Sequence, residues 1–189
     1  MISRRYPEDI PKMEREDLIT FASLVVGGAA IMWLINSGRG KRNEQQTTID
    51  PMDKKLPRGY RNNNPLNIRY NSANKWLGKV TNNTDGTFEQ FVSMEYGYRA
   101  ALYLIRKYIF ADGLTTVAQI ISKWAPNNEN NTEGYIQRVC ASTGWLPSTT
   151  IDPYNMQEMC DLAYAMALVE NGKTILPDYT QIYKGWEML

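Results

Sequence analysis

Apolar residues recur at helical spacing over residues 94–110 and again over residues 116–124. In both stretches an apolar side chain returns every third or fourth position, which predicts one helix face buried against a core. The apolar positions of the first stretch are Tyr98, Ala101, Leu102, Ile105, Tyr108 and Ile109. Gly113 follows the first stretch and Pro126 follows the second, so we expect the two helices to end near these residues.

A third helix is predicted after the polar segment 124–135, which reads WAPNNENNTEGY. Asn131 or Thr132 is expected to cap this helix, and Gly144 to end it. The amide and hydroxyl groups of the segment suit a surface that binds sugar hydroxyls. They also suit a plain loop that leads into a capping box, in which Asn130 or Thr132 pairs with Glu133. The pattern favours capping for Glu133 and leaves the role of the loop open.

The last predicted helix carries the main candidate for catalysis. Asp152 is its expected N-cap, Pro153 occupies the first helical position, and Gly172 lies just past its end. Glu170 then falls in the last turn, where the negative end of the helix dipole and burial beside apolar neighbours both raise the pKa of a carboxylate. A general acid at neutral pH needs such a raised pKa. A solvated glutamate without a role is the more common case at a helix end.

Residues 58–70, RGYRNNNPLNIRY, predict a polar turn that leads into a short strand. The turn falls at residues 64–65, because Asn-Pro favours turns. The following alternation predicts a strand with Leu66, Ile68 and Tyr70 on its buried face. An Asp-Gly pair at 85–86 predicts a hairpin turn. Together the patterns predict a small, mainly α domain with a short β-hairpin.

Residues 18–35 contain no charged side chain and are close to the shortest length that spans a bilayer. We therefore predict a single transmembrane helix over 18–37, a polar N-terminal segment over 1–17, a flexible linker over 38–56 and a globular domain over 57–189. A cleaved signal peptide and a buried helix of the globular domain are the alternatives. Basic residues flank the apolar run on both sides, so its orientation stays open.

Composition narrows the chemistry of the 189-residue chain. The absence of histidine excludes catalysis by Ser-His-Asp or Cys-His groups and most zinc hydrolases. Carboxylates remain as acid and base groups, and glycoside cleavage is the commonest reaction that needs only these. A net charge of +1 predicts no general affinity for nucleic acid. The two cysteines match no metal or redox motif, so neither a metal nor another cofactor is expected.

The order of several motifs resembles a family of phage and mobile-element proteins described as virion structural proteins or lysozyme-like lytic transglycosylases. The motifs are RNNNPLNIR, then WLG, then TFEQFVSMEYGYRAA, then WAPNNENNTEGYIQRV, within residues 58–186. The chain is similar, more distantly, to N-acetylglucosaminidases of the lysozyme superfamily, whose catalytic glutamate precedes the first of these motifs. Here a Glu-Asn-Gly helix end comes last. A circular permutation would explain this order, and it predicts that Glu170 lies beside residues 64–68.

The resemblance implies a lysozyme-like α+β domain that cleaves peptidoglycan between N-acetylmuramic acid and N-acetylglucosamine. Glu170 would protonate the glycosidic oxygen, with Glu129 as the alternative acid. Six residues would bind substrate: Asn64, Asn67, Arg69, Asn130, Thr132 and Tyr135. The expected partners are glycan strands, a bilayer contacted by residues 18–37 and other virion proteins, and the expected location is the virion membrane or the host cell envelope. A catalytically inactive virion structural protein and a glycan-binding module are the rival interpretations.

Overall fold

The computed structural model describes residues 55–128 and 131–189 of the chain. These residues form a mainly helical fold, as predicted, with helices α1 (Arg58–Arg61), α2 (Met94–Asp112), α3 (Val117–Trp124), α4 (Thr132–Thr143), α5 (Met156–Asn171) and α6 (Tyr179–Glu187). Within the described ranges no helix is long and apolar enough to cross a membrane. The predicted transmembrane helix at 18–37 lies outside them, as do the N-terminal segment and nearly all of the linker.

Helix α2 is the longest helix of the described ranges and packs against α3, α5 and α6. Its predicted stripe is buried, with Tyr98, Leu102 and Ile105 fully inaccessible to solvent. Gly113 ends the helix with a φ of 69°, in the left-handed region that favours glycine. The predicted position and buried face of α2 are therefore confirmed.

Helices α3 and α4 begin at side-chain caps. Thr116 and Gln119 form a reciprocal capping box at the start of α3. Asn131 caps α4, because its Oδ1 accepts a hydrogen bond from the Gly134 amide at 2.9 Å. The capping box predicted for Glu133 is wrong, since this carboxylate instead accepts from the Gln137 side chain one turn later, at 3.1 Å.

The predicted start of α5 is also wrong, by three residues. The Asp152 carboxylate accepts from the Tyr154 amide at 2.9 Å, and this tight turn occupies the residues that were expected to begin the helix. Asn155 is the true N-cap, and its side chain accepts from the amides of residues 157 and 158. Gly172 ends the helix at a φ of 73°, as predicted.

The segment 66–92 is an irregular lobe in which strand pairing is reduced to isolated antiparallel bridges, Arg69 with Phe88 and Lys79 with Phe91. The predicted hairpin is therefore present only as short pairings. The predicted buried face holds for two of its three residues, because Tyr70 is 37% exposed. Asn67 has a φ of 50°, which breaks the extended backbone and with it the alternation of side chains.

Helix α6 was not predicted as a helix. Asp178 caps it by accepting from the Thr180 amide at 2.8 Å, and Ile182 is fully buried. Gly185 allows close packing on α2, since a Cβ at this position would lie 2.9 Å from the backbone of Glu95 and of Arg99. Helix α6 therefore closes the core on one side of α2.

Candidate functional site

Glu170 lies half-buried in the last turn of α5 and accepts hydrogen bonds from three side chains. Asn67 Nδ2 donates to Oε2 at 2.9 Å. Tyr135 donates its hydroxyl to Oε1 at 3.0 Å, and Trp124 donates its indole N–H to the same oxygen at 3.3 Å. The predicted proximity of Glu170 to residues 64–68 is therefore confirmed. We call these four residues the glutamate cluster.

The position of Asn67 depends on the side chain of Asn64, which is completely buried. Asn64 Oδ1 accepts from the Ile68 amide at 2.9 Å, while Nδ2 donates to the carbonyls of Ile68 at 2.9 Å and Glu89 at 3.0 Å. These bonds fix the turn that directs Asn67 at Glu170. The fold therefore uses the donors and the acceptor of Asn64, and its predicted contact with substrate stays a prediction.

Asn171, the residue after Glu170, holds the end of α5 against the same turn. Its Nδ2 donates to the Pro65 carbonyl at 2.7 Å and to the Ala167 carbonyl at 3.0 Å. Gly59 makes room for this side chain, since a Cβ there would lie 2.3 Å from Asn171 Oδ1. The turn at Asn64 and Pro65 is therefore held against the helix end that carries Glu170.

Burial raises the pKa of Glu170 above its ordinary value. The hydrogen bonds from Asn67, Tyr135 and Trp124 act in the opposite direction, since they favour the ionised form, but burial dominates. The predicted direction of the pKa shift is confirmed. All three donors are neutral groups, so no positive charge within the glutamate cluster holds the carboxylate in its ionised form.

The hydrogen-bond pattern also indicates which oxygen of Glu170 carries a proton. Oε1 accepts two hydrogen bonds, which occupy both of its lone pairs, whereas Oε2 accepts one. A proton therefore belongs on Oε2. Burial raises the pKa of Tyr135 well above its ordinary value, so its phenol remains a donor at neutral pH. Chemically, the arrangement can deliver one proton and then stabilise the carboxylate that remains.

The structure changes the roles of two other predicted substrate-binding residues. Thr132 is 3% exposed, and its hydroxyl donates to the Ala125 carbonyl, which ties the start of α4 to the end of α3. Tyr135 is 5% exposed and directs its hydroxyl at Glu170. Both hydroxyls are therefore engaged within the protein, and their predicted contact with substrate stays a prediction.

The remaining predicted residues fall into two groups. Arg69 is exposed on the irregular lobe, with its guanidinium 5.3 Å from the centre of the Phe88 ring. Glu129 and Asn130 lie outside the described residues, in the connection between α3 and α4. The hydrogen bond from Trp124 to Glu170 was not predicted, because nothing local in the sequence pairs residues 46 positions apart.

The sequence patterns did not predict the burial of another carboxylate, Glu89. It is fully inaccessible to solvent, pairs with Lys79 Nζ at 3.0 Å and accepts from the Asn71 amide at 3.1 Å. Its position beside two phenylalanines in TFEQF gave a hint of burial. Within the described ranges no group of three or more histidine, cysteine, aspartate or glutamate residues is placed to hold a metal ion.

The described part of the chain is thus a small helical domain with a half-buried glutamate at a helix end. No family model matches the sequence. The chain is 39% identical over 137 residues to Protein P5 of Pseudoalteromonas phage PM2, a match that covers 69% of this chain and 80% of that protein. The chain therefore belongs to the family of this bacteriophage protein.

Proposed function

We propose that this protein is a membrane-anchored bacteriophage enzyme that cleaves the glycan strands of peptidoglycan, as a lytic transglycosylase or muramidase. The observation that carries the proposal is the glutamate cluster, in which a half-buried carboxylate with a raised pKa is contacted by neutral donors alone. This is the environment that a general acid requires near neutral pH.

In the proposed reaction Glu170 Oε2 gives its proton to the oxygen that links N-acetylmuramic acid to N-acetylglucosamine. The bond from that oxygen to the muramic acid carbon then breaks. Asn67, Tyr135 and Trp124 stabilise the carboxylate formed, which next accepts a proton from the attacking hydroxyl. We favour attack by the sugar's own hydroxyl, which needs no second carboxylate. Routes of this kind are exceptions to the rule of two carboxylates.

Three further observations support the proposal. Glu170 lies beside the turn of residues 62–65, as a permuted lysozyme-like arrangement requires. The uncharged run at 18–35 has a length suited to a membrane anchor. The phage relative fits an encounter with a host cell wall during entry, and the virion membrane or the host envelope is the proposed location.

A peptidoglycan-clearing assay on the full chain tests the proposal. Glu170→Gln keeps the shape of the side chain but removes the proton donor, so we expect clearing to fall by about 100-fold or more. Glu133→Gln is the matched control, because Glu133 is exposed and its carboxylate accepts a hydrogen bond from the exposed side chain of Gln137. This control should clear at the rate of the unmodified protein. Clearing that survives Glu170→Gln would exclude Glu170 as the acid and direct the next test to Glu129.

A second candidate is a catalytically inactive virion structural or glycan-binding protein. It is favoured by the lining of two surface pockets among the described residues, of about 270 and 420 Å³, neither of which includes Glu170. Sedimentation with insoluble peptidoglycan separates the two functions. Binding without release of soluble fragments, unchanged in Glu170→Gln, would support this second candidate against the enzyme.

A further inference from the structure

Arg106 on α2 is a buried cation without an acidic partner in the described part of the chain. The residue is 9% exposed, and its Nε atom is buried without a hydrogen-bond partner. Its guanidinium lies 5.6 Å from the centre of the Phe110 ring and 5.4 Å from that of Trp186. Its charge also interacts electrostatically with Tyr154.

Such an arrangement lowers the stability of the folded state. A buried charge normally has a hydrogen-bonded partner of opposite sign, and aromatic faces compensate only part of the lost hydration. Burial lowers the pKa of Arg106, but a guanidinium remains charged at neutral pH. A buried guanidinium without an acidic partner in the domain indicates that a binding partner outside the domain supplies the opposite charge.

Another arginine and several aromatic side chains lie near Arg106 along one face of α2. Arg99 lies two turns earlier, about 10 Å along the helix axis. It lines the pocket of about 270 Å³ with Trp76, Tyr103 and two polar neighbours, and its Nε donates to the Met188 carbonyl at 2.8 Å. Trp76 and Tyr103 pack edge to face at 5.9 Å. We call this surface the arginine–aromatic face: Trp76, Arg99, Tyr103, Arg106, Phe110 and Trp186.

Part of this face is open to solvent. Tyr103 is 41% exposed, Phe110 is 46% exposed, and Tyr154 beside Phe110 is 59% exposed. The face is distinct from the glutamate cluster. Tyr108 packs against Trp124, which belongs to the glutamate cluster. Tyr108 projects from α2 about 200° around the helix axis from Arg106, and thus from nearly the opposite side of the helix. A ligand on this face would therefore leave Glu170 uncovered.

We propose that the arginine–aromatic face binds an acidic segment of a partner protein, with two of its carboxylates bound by Arg99 and Arg106. Arginine, tryptophan, tyrosine and phenylalanine are the residue types that dominate the energetic centres of protein interfaces. The planar guanidinium matches a carboxylate with two parallel hydrogen bonds. Charge complementarity thus favours an acidic segment, and the exposed rings favour one that also carries apolar side chains.

Arg106→Met is the informative variant, because it keeps the length of the side chain and removes the charge. If Arg106 is retained for binding, the variant should melt at the same or a higher temperature, since replacing a buried unpaired charge by an apolar group relieves its desolvation. It should at the same time bind the partner roughly tenfold or more weakly. If Arg106 only packs against Phe110 and Trp186, the variant should melt at a lower temperature and binding should not change.

The probe is a set of peptides selected from a random 12-residue display library on the full chain, with affinities measured by fluorescence anisotropy. We expect enrichment of sequences that combine two acidic residues with an aromatic or aliphatic one, and loss of binding in Arg106→Met. Lys107→Met is the control, because Lys107 is an exposed neighbour and the charge change is the same. It should retain binding.

Three results would overturn the proposal. Selected peptides without acidic residues would show that carboxylates are not recognised. An equal loss of affinity in Lys107→Met would show that net charge, not the buried guanidinium, attracts the peptide. Displacement of the peptide by inorganic polyphosphate at the same charge concentration would show a site for polyanions in general, without preference for a protein segment.

Discussion

Glu170 and Glu89, a half-buried and a fully buried carboxylate of the described domain, have opposite surroundings. Glu170 lies at the end of a helix, remains half-buried, and is contacted by an amide, an indole and a phenol. Glu89 lies in the irregular lobe, is fully buried, and pairs with the ammonium group of Lys79. Burial raises the pKa of Glu170, and its hydrogen bonds only partly oppose that rise.

The difference lies in the charge of the partner and not in burial itself. Neutral donors can serve a carboxylate in both protonation states, since the protonated acid still offers lone pairs to them. An ammonium partner instead favours the ionised state by direct attraction. The same residue type is therefore contacted by neutral donors in one region and by a cation in the other.

The largest effect on stability is expected for Glu89→Gln. This change leaves Lys79 beside a neutral amide in a largely buried pair, so the free energy of unfolding should fall by about 2–4 kcal/mol. Glu170→Gln should change it by less than about 1 kcal/mol, because a glutamine can keep most of the hydrogen bonds. Urea unfolding of the two variants measures the difference. Similar losses of stability in Glu89→Gln and Glu170→Gln would contradict the proposed difference between the two carboxylates.

A double variant sharpens that result. Lys79→Met combined with Glu89→Gln removes both charges, so part of the lost stability should return relative to Glu89→Gln alone. No recovery would mean that the carboxylate acts through the Asn71 amide and not through the ion pair.

Tyr135→Phe is expected to have an intermediate effect. It removes one hydrogen bond to Glu170 and should lower the free energy of unfolding by about 1 kcal/mol. Because this bond lowers the pKa of Glu170, its loss should raise that pKa further. A carboxyl carbon NMR titration should show Glu170 titrating at a higher pH than in the unmodified protein. A titration at unchanged or lower pH would contradict the assigned role of Tyr135.

The smallest expected effect is a pH dependence of stability that belongs to Glu170. Its pKa in the folded protein is raised above the ordinary value of 4.5, so the folded state binds this proton more tightly than the unfolded state does. The resulting stabilisation is fully present below pH 4.5 and is lost as the pH rises through the raised pKa. Glu170→Gln removes this dependence, so the variant should gain stability relative to the unmodified protein as pH increases. A constant difference in melting temperature from pH 4 to pH 8 would contradict the raised pKa.

The sequence was sufficient where local chemistry decides the structure. The buried stripe of α2 and the glycines at 113 and 172 follow from periodicity and from the left-handed backbone that glycine favours. The prediction of the first residue of α5 was wrong, because Asp152 and Asn155 are equally good N-caps. Only the turn at Tyr154 decides between them. Helix α6 was missed because it spans only nine residues and contains Gly185, a poor helix former.

The candidate site was predictable in part. Glu170 was proposed as the acid and Asn67 as a substrate contact, and the expected rise in the pKa of Glu170 agrees with its burial. The roles of Asn64, Thr132 and Tyr135 were not predictable, because an amide or hydroxyl that suits a sugar also suits a backbone carbonyl or a carboxylate. Which one it contacts depends on packing between distant segments, and a single sequence does not contain that information in local form.

The bond between Asn67 and Glu170 joins residues 103 positions apart. During synthesis at about 5–20 residues per second, roughly 5–20 s pass between the addition of the first residue and the addition of the second. For that interval the nascent chain contains residues 62–65 but not the helix end that Asn171 holds against them. Until then the nascent chain contains the asparagines but no glutamate cluster, so assembly of the site coincides with completion of the fold.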